Sequence, residues 1–85
     1  MTFTIGSRIY YTGDMANLED WATVAGIKTD RWGMSCRLVY DRGGEDWIPC
    51  ALVGTVYEGH GGVRFVTEEA YRRYRKAQTD AFLTK

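Results

Sequence analysis

Gly43 and Gly44 stand between two short runs of alternating character, and this commits the middle of the chain to an antiparallel hairpin. Residues 35–41 place Cys36, Leu38 and Tyr40 on one face of a strand and Arg37, Val39 and Asp41 on the other. After Arg42-Gly43-Gly44-Glu45 the chain resumes as Asp46-Trp47-Ile48-Pro49 and stops at a residue with no N–H to give. Adjacent glycines reverse a chain at little steric cost because they accept positive φ. Ten glycines against one proline, and an aromatic content of 14%, extend the same bias to short strands and tight turns along the rest of the chain.

Around that hairpin the pattern predicts further strands. Residues 7–12 (Ser-Arg-Ile-Tyr-Tyr-Thr) form a first strand, residues 13–20 a loop, and residues 21–29 a second strand of β-branched and small residues. Asp30-Arg31-Trp32-Gly33-Met34 reads as a loop closed by glycine. Residues 50–53 suit a single 3₁₀ turn, 55–57 and 63–66 short extended pieces, and Gly59-His60-Gly61-Gly62 a flexible stop between them. Composition then changes. Thr67 is a good N-cap, Glu68 and Glu69 fall in the first turn and Arg72, Arg73, Arg75 and Lys76 beyond it, which predicts a helix from 67 to about 82 with Ala70, Tyr71, Tyr74, Ala77, Ala81 and Phe82 as its apolar stripe. At 85 residues the chain has room for one domain, a β unit over 1–66 carrying a terminal helix over 67–85.

The order of elements resembles the small SH3-like barrels, including Tudor and KOW domains. Gly6-Ser7-Arg8-Ile9, Trp21-Ala22-Thr23-Val24, and residues 36–40 with 45–52 carry the likeness. It implies a mainly β fold, an SH3-like barrel of about five antiparallel strands with one C-terminal α-helix. The same layout is similar to the plasmid-type dihydrofolate reductases, tetramers of such barrels. Their strand signature Val-Gln-Ile-Tyr is replaced here by Asp46-Trp47-Ile48-Pro49, so their activity does not carry across. Tyr10-Tyr11-Thr12-Gly13-Asp14-Met15-Ala16-Asn17 resembles small proteins of plasmids and other mobile elements, which implies an accessory or inhibitory role.

Catalytic chemistry finds little to work with. The single histidine, His60, sits among glycines that would hold a base poorly, and Cys36 and Cys50 have neither redox-pair nor zinc-site spacing, so both read as small core hydrophobes, with a disulfide the alternative. Gly59-His60-Gly61-Gly62 lacks the Lys-Ser/Thr of a phosphate loop. Glu45 and Asp46 point to opposite faces of a strand, Glu68 and Glu69 answer to the helix dipole, and Glu19-Asp20 reads as solvated loop. The expectation is a non-enzyme with no catalytic residue, metal or cofactor. No stretch is long and apolar enough to span a bilayer and the first residues lack a signal-peptide pattern, so the expected location is cytoplasmic.

Binding remains. Eleven basic and eleven acidic residues cancel, so any nucleic acid must be held by a local patch rather than by the field of the whole molecule. Charge is mildly segregated: residues 1–66 hold six basic against eight acidic groups, residues 67–85 five against three. Twelve aromatics exceed what a small barrel can hide, and Trp32 lies in a polar loop. Tyr10, Tyr11, Trp32 and Tyr40 are expected to gather at one end of the barrel. With Arg31 beside Trp32, the expected contact set is Tyr11, Arg31, Trp32 and Tyr40, joined by Arg72, Arg73, Arg75 and Lys76 on the helix. The expected function is docking on a protein partner. Nucleic-acid binding through the basic helix and a small tetrameric reductase are the alternatives, and the helix stripe is also a candidate homodimer seam.

Overall fold

The computed structural model describes residues 4–13, 18–59 and 63–83. Among these residues there are six strands and one α-helix: β1 (Arg8–Tyr11), β2 (Asp20–Asp30), β3 (Gly33–Tyr40), β4 (Glu45–Pro49), a 3₁₀ turn (Cys50–Leu52), β5 (Val53–Gly54), β6 (Phe65–Thr67) and α1 (Glu68–Leu83). All six strands join one sheet in the order β4-β3-β2-β1-β6-β5, antiparallel throughout except that β5 and β6 run parallel.

That order makes the sheet curl. Laid flat, the two outer strands would lie about 24 Å apart, at roughly 4.8 Å per neighbour. They are nevertheless joined by three residues, Cys50–Leu52, and the steps from Pro49 to Val53 reach at most about 14 Å even when fully extended. The edges must therefore approach each other, and the sheet closes partway into a barrel. A register shift between Val24 and Gly26 puts a bulge in β2, a device that strengthens the bend of the long strand.

Inside the curl lies the main core: Ile9, Tyr11, Ala22, Val24, Cys36, Leu38, Ile48, Val53 and Phe65, with Ile27, Tyr40 and Cys50 packed at its margins. These are the alternate residues of their strands, as the period of two requires. A second, smaller core forms on the opposite face of β1 and β6, where Tyr10, Val66 and Ala70 are buried and Trp21, Tyr57 and Tyr71 pack around them. Here α1 covers the sheet. Its N-terminus is set by Thr67, whose side-chain oxygen accepts the Ala70 N–H at 3.1 Å, with Glu68 and Glu69 in the first turn.

The mainly β expectation with a terminal helix is met, with three corrections. The strands number six, and two of them pair in parallel. Residues 55–57 are not a strand, because the chain leaves the sheet after Gly54. Residues 30–34 are not an open loop, because β2 and β3 run on to a two-residue turn. Gly59-His60-Gly61-Gly62 and residues 13–20 lie partly outside the described residues, His60 among them.

Candidate binding surfaces

The longest strand pair outruns its neighbours. β1 pairs with β2 only over Asp20 to Thr23, and β4 pairs with β3 only from Val39 to Ser35. Beyond those limits β2 and β3 continue as a short two-stranded arm in the register Thr29↔Met34, Asp30↔Gly33. Residues 28–34 are all exposed.

A side-chain bond and a glycine close the tip. Asp30 accepts the Trp32 N–H on its carboxylate at 2.8 Å, and Gly33 takes φ +117°, which closes a two-residue turn in which neither Arg31 nor Trp32 needs a positive φ. The Arg31 guanidinium lies 4.7 Å from the centroid of the Trp32 ring, and the indole is 82% exposed. Met34, just behind the tip, is 45% exposed. A large aromatic ring offered to solvent beside a stacked arginine is the pairing that dominates interface energies.

The aromatic gathering expected at one end of the barrel does not form. Tyr10 and Tyr11 are neighbours in β1 and point to opposite faces, and both faces are covered. Tyr11 sits in the main core, stacked on Phe65 with centroids 5.3 Å apart and meeting Tyr40 edge-on at 5.8 Å. Tyr10 lies under α1, 4.2 Å from Tyr71 and 5.3 Å from Trp21, and donates its hydroxyl proton to Glu19. Tyr40 is half-buried and donates to Asp46 at 3.0 Å. Of the four, Trp32 alone is open to a partner, and Arg31 is the expected contact residue that accompanies it.

Burial and then the hydrogen bonds to Glu19 and Asp46 push the Tyr10 and Tyr40 hydroxyls well above the usual tyrosine range. Burial likewise raises the Cys36 thiol to about 11, with Cys50 beside it adding to the shift. Both cysteines are free thiols; Cys36 is fully buried and Cys50 half-buried.

Sequence reading also missed a second feature of the sheet's outer face. Trp47 is 47% exposed on β4, with the Lys28 ammonium 4.6 Å from its ring centroid. Gly26 in β2 leaves the space that the ring covers: a Cβ there would stand 3.4 Å from the indole. The alternation in β4 carried the signal, since Ile48 points inward and Trp47 must then point out. On the same face Arg8 grips Asp41 with both guanidinium nitrogens, at 2.8 and 2.6 Å, and also reaches the Thr23 hydroxyl at 2.8 Å. Glu19-Asp20 is not plain solvated loop either. Asp20 accepts the Arg42 N–H at 3.0 Å and ties the start of β2 to the β3–β4 turn.

The helix presents the basic residues. Arg72, Arg73, Arg75 and Lys76 are all exposed; Arg72 bonds Glu68 at 3.2 Å and Arg73 bonds Glu69 at 2.5 Å, the i, i+4 pairs the spacing predicts. Of the expected apolar stripe only Ala70 is buried, Tyr71 and Tyr74 are half-buried, and every residue from Arg75 to Leu83 is exposed. Between α1 and residues 55–58 runs a groove of about 500 Å³ lined mainly by Val56, Tyr57, Ala70, Tyr74, Ala77 and Ala81.

Among the described residues, no three His, Cys, Asp or Glu side chains converge as a metal site, and no helix is long and apolar enough to cross a membrane. Comparison with protein-family models, with curated proteins and with solved structures finds no match for this chain.

Proposed function

We propose that this chain is a small non-enzymatic binding module that docks on a protein partner through the β2–β3 arm, with Trp32 as the anchor and Arg31 as its charged companion. The observation that carries the reading is the exposure of Trp32 at the tip of an arm that, among the described residues, no other strand flanks. Hiding an indole from water is worth on the order of 2–3 kcal/mol, and the fold leaves that gain unused. A two-residue turn closed by Gly33, on strands continuous with the barrel, fixes the Trp32 backbone and so lowers the entropic cost of binding. The partner that suits it has an apolar pocket with carboxylates at its rim for Arg31. An accessory or inhibitor protein of a mobile element would act in this way, by occupying a site on a host complex.

The competing reading is nucleic-acid binding. Its support is the exposure of Arg72, Arg73, Arg75 and Lys76 along one helix, tempered by the carboxylates that already engage the first two. One experiment separates the two. The partner captured from native lysate by the intact chain should be lost with Trp32→Ala and retained when Arg75 and Lys76 are both changed to Ala. Capture that survives Trp32→Ala, and that falls steeply with added salt together with loss of the helix cations, would overturn the arm and favour nucleic acid.

A further inference from the structure

The two cysteines of the chain meet inside it. Cys36 and Cys50 are fourteen residues apart in sequence, one in the middle of β3 and the other at the first position of the 3₁₀ turn. β4 brings them together. Its register sets Ile48 beside Cys36 and Pro49 beside Ser35, so the next residue to turn back toward the core after Ile48 is Cys50. Cys50 accordingly packs against the main core, and its thiol is in hydrogen-bond contact with that of Cys36. Access is unequal. Cys36 is wholly buried, whereas Cys50 is partly open to solvent. An enclosed thiol touching a second, reachable one is the layout of a resolving cysteine behind an attacking one.

We infer that Cys50 is a site of thiol–disulfide exchange with low-molecular-weight disulfides, and that Cys36 resolves the product into an internal bridge that staples the 3₁₀ turn to β3. In the first step the Cys50 thiol gives its proton to water and its sulfur attacks one sulfur of the small disulfide; that S–S bond breaks, and the departing thiolate takes up a proton. In the second, Cys36 loses its proton, its sulfur attacks the Cys50 sulfur, and the other half of the small disulfide leaves as a thiolate and is protonated in turn. The chain is oxidised by two electrons, and one small disulfide is reduced to two thiols. Burial slows the ionisation of Cys36, raised to about 11, but the sulfur it must reach already lies beside it, and attack within one molecule offsets a small thiolate fraction. A disulfide requires Cα atoms within about 7 Å of each other, and any movement this needs falls on Cys50, which begins a three-residue turn just past the last ladder pair, Ser35↔Pro49. No third cysteine competes, so the connectivity is fixed. The bridge fastens the turn that joins the two outer strands to the strand whose far end forms the arm.

The test is incubation of the full reduced chain with oxidised glutathione at about pH 8, where thiols begin to ionise, followed by acid quenching and mass spectrometry of the intact protein. The parent should lose two hydrogens and keep no glutathione. Cys36→Ala should retain one glutathione, on Cys50, because nothing resolves it. Cys50→Ala should neither bridge nor hold an adduct while folded, because Cys36 is enclosed. Circular dichroism of each variant checks that the fold is kept, and a readout on the parent alone needs no variant: its urea midpoint should rise by about 1 M on oxidation and return with dithiothreitol. A glutathione that stays on the parent, a disulfide between two chains, no reaction at all, or an oxidised chain no more resistant to urea than the reduced one would each overturn the proposal. None of these readouts involves Trp32 or a partner, so the arm's role in docking is tested separately.

Discussion

Two cysteines in one core show how far neighbouring side chains can differ in chemistry. Cys36 is fully enclosed by the main core and its thiol is raised to about 11, first by burial and then by Cys50, whereas Cys50 sits half-buried at the start of the 3₁₀ turn. A thiolate is the reacting species, and Cys36 combines low thiolate content with no access. Alkylation of the native protein with iodoacetamide near pH 8 should therefore add one label, on Cys50, with Cys36 modified only after unfolding; mass spectrometry reads the count, and rapid double labelling of the folded chain would contradict the packing. The same contrast separates the aromatics. Tyr10, Tyr11 and Trp32 look alike in composition, yet two are wedged between strands, helix and core and the third stands in solvent.

Elements, in turn, owe their limits to single residues. Thr67 closes the first turn of α1 by accepting the Ala70 N–H, and a helix with so little buried surface depends on that cap. Thr67→Ala should cost about 1 kcal/mol in chemical denaturation. Gly59, at φ +84°, lies where a Cβ would meet the Tyr74 ring at 2.5–2.8 Å. Gly59→Ala should cost roughly 1–2 kcal/mol from the left-handed backbone alone, and more if the ring cannot swing aside. Thr67→Ala and Gly59→Ala midpoints equal to the parent's would show that the helix is held by something other than its first two turns. Much of this level was legible in advance. Alternation in residues 35–41, the paired glycines, and the Thr-Glu-Glu opening of the helix are local signals, set by backbone periodicity and end chemistry. Residues 55–57 misled because β-branched composition alone does not supply a neighbour to pair with: β5 ends at Gly54, where a side chain would stand 3.1 Å from Val63.

At the scale of the whole molecule, the radius of gyration is 13.8 Å, against about 12 Å for a compact chain of this length. Extents of 49 × 28 × 23 Å describe an elongated body, as expected of a small barrel with a hairpin arm and a half-free helix. Its stability should depend on alkaline pH. Tyr10, Tyr40, Tyr57 and Cys36 are all raised in the folded state, burial being the first cause in each. The folded chain then holds protons that the unfolded chain releases at ordinary values, near 8.5 for cysteine and 10 for tyrosine. Their contribution is complete below those values and declines as pH rises through them toward the folded ones. The urea midpoint should accordingly be steady up to about pH 8 and fall progressively above it, and the slope should lessen in Tyr10→Phe and Tyr40→Phe; a midpoint unchanged up to pH 11 would count against buried phenols.

By itself the sequence determined what nearest neighbours along the chain can decide: where strands alternate, where glycines turn, where the helix begins, and that Trp32 occupies a polar turn. Tertiary structure decided which of two alternating faces is covered. Tyr10 and Tyr11 are both buried because β1 lies mid-sheet with core on one side and α1 on the other, while Trp47 is half exposed because, among the described residues, no helix covers the outer face of β4 and only the Lys28 side chain lies over the ring. The physical reason is that periodicity fixes the direction of a side chain relative to its own strand, whereas burial depends on residues brought there from dozens of positions away.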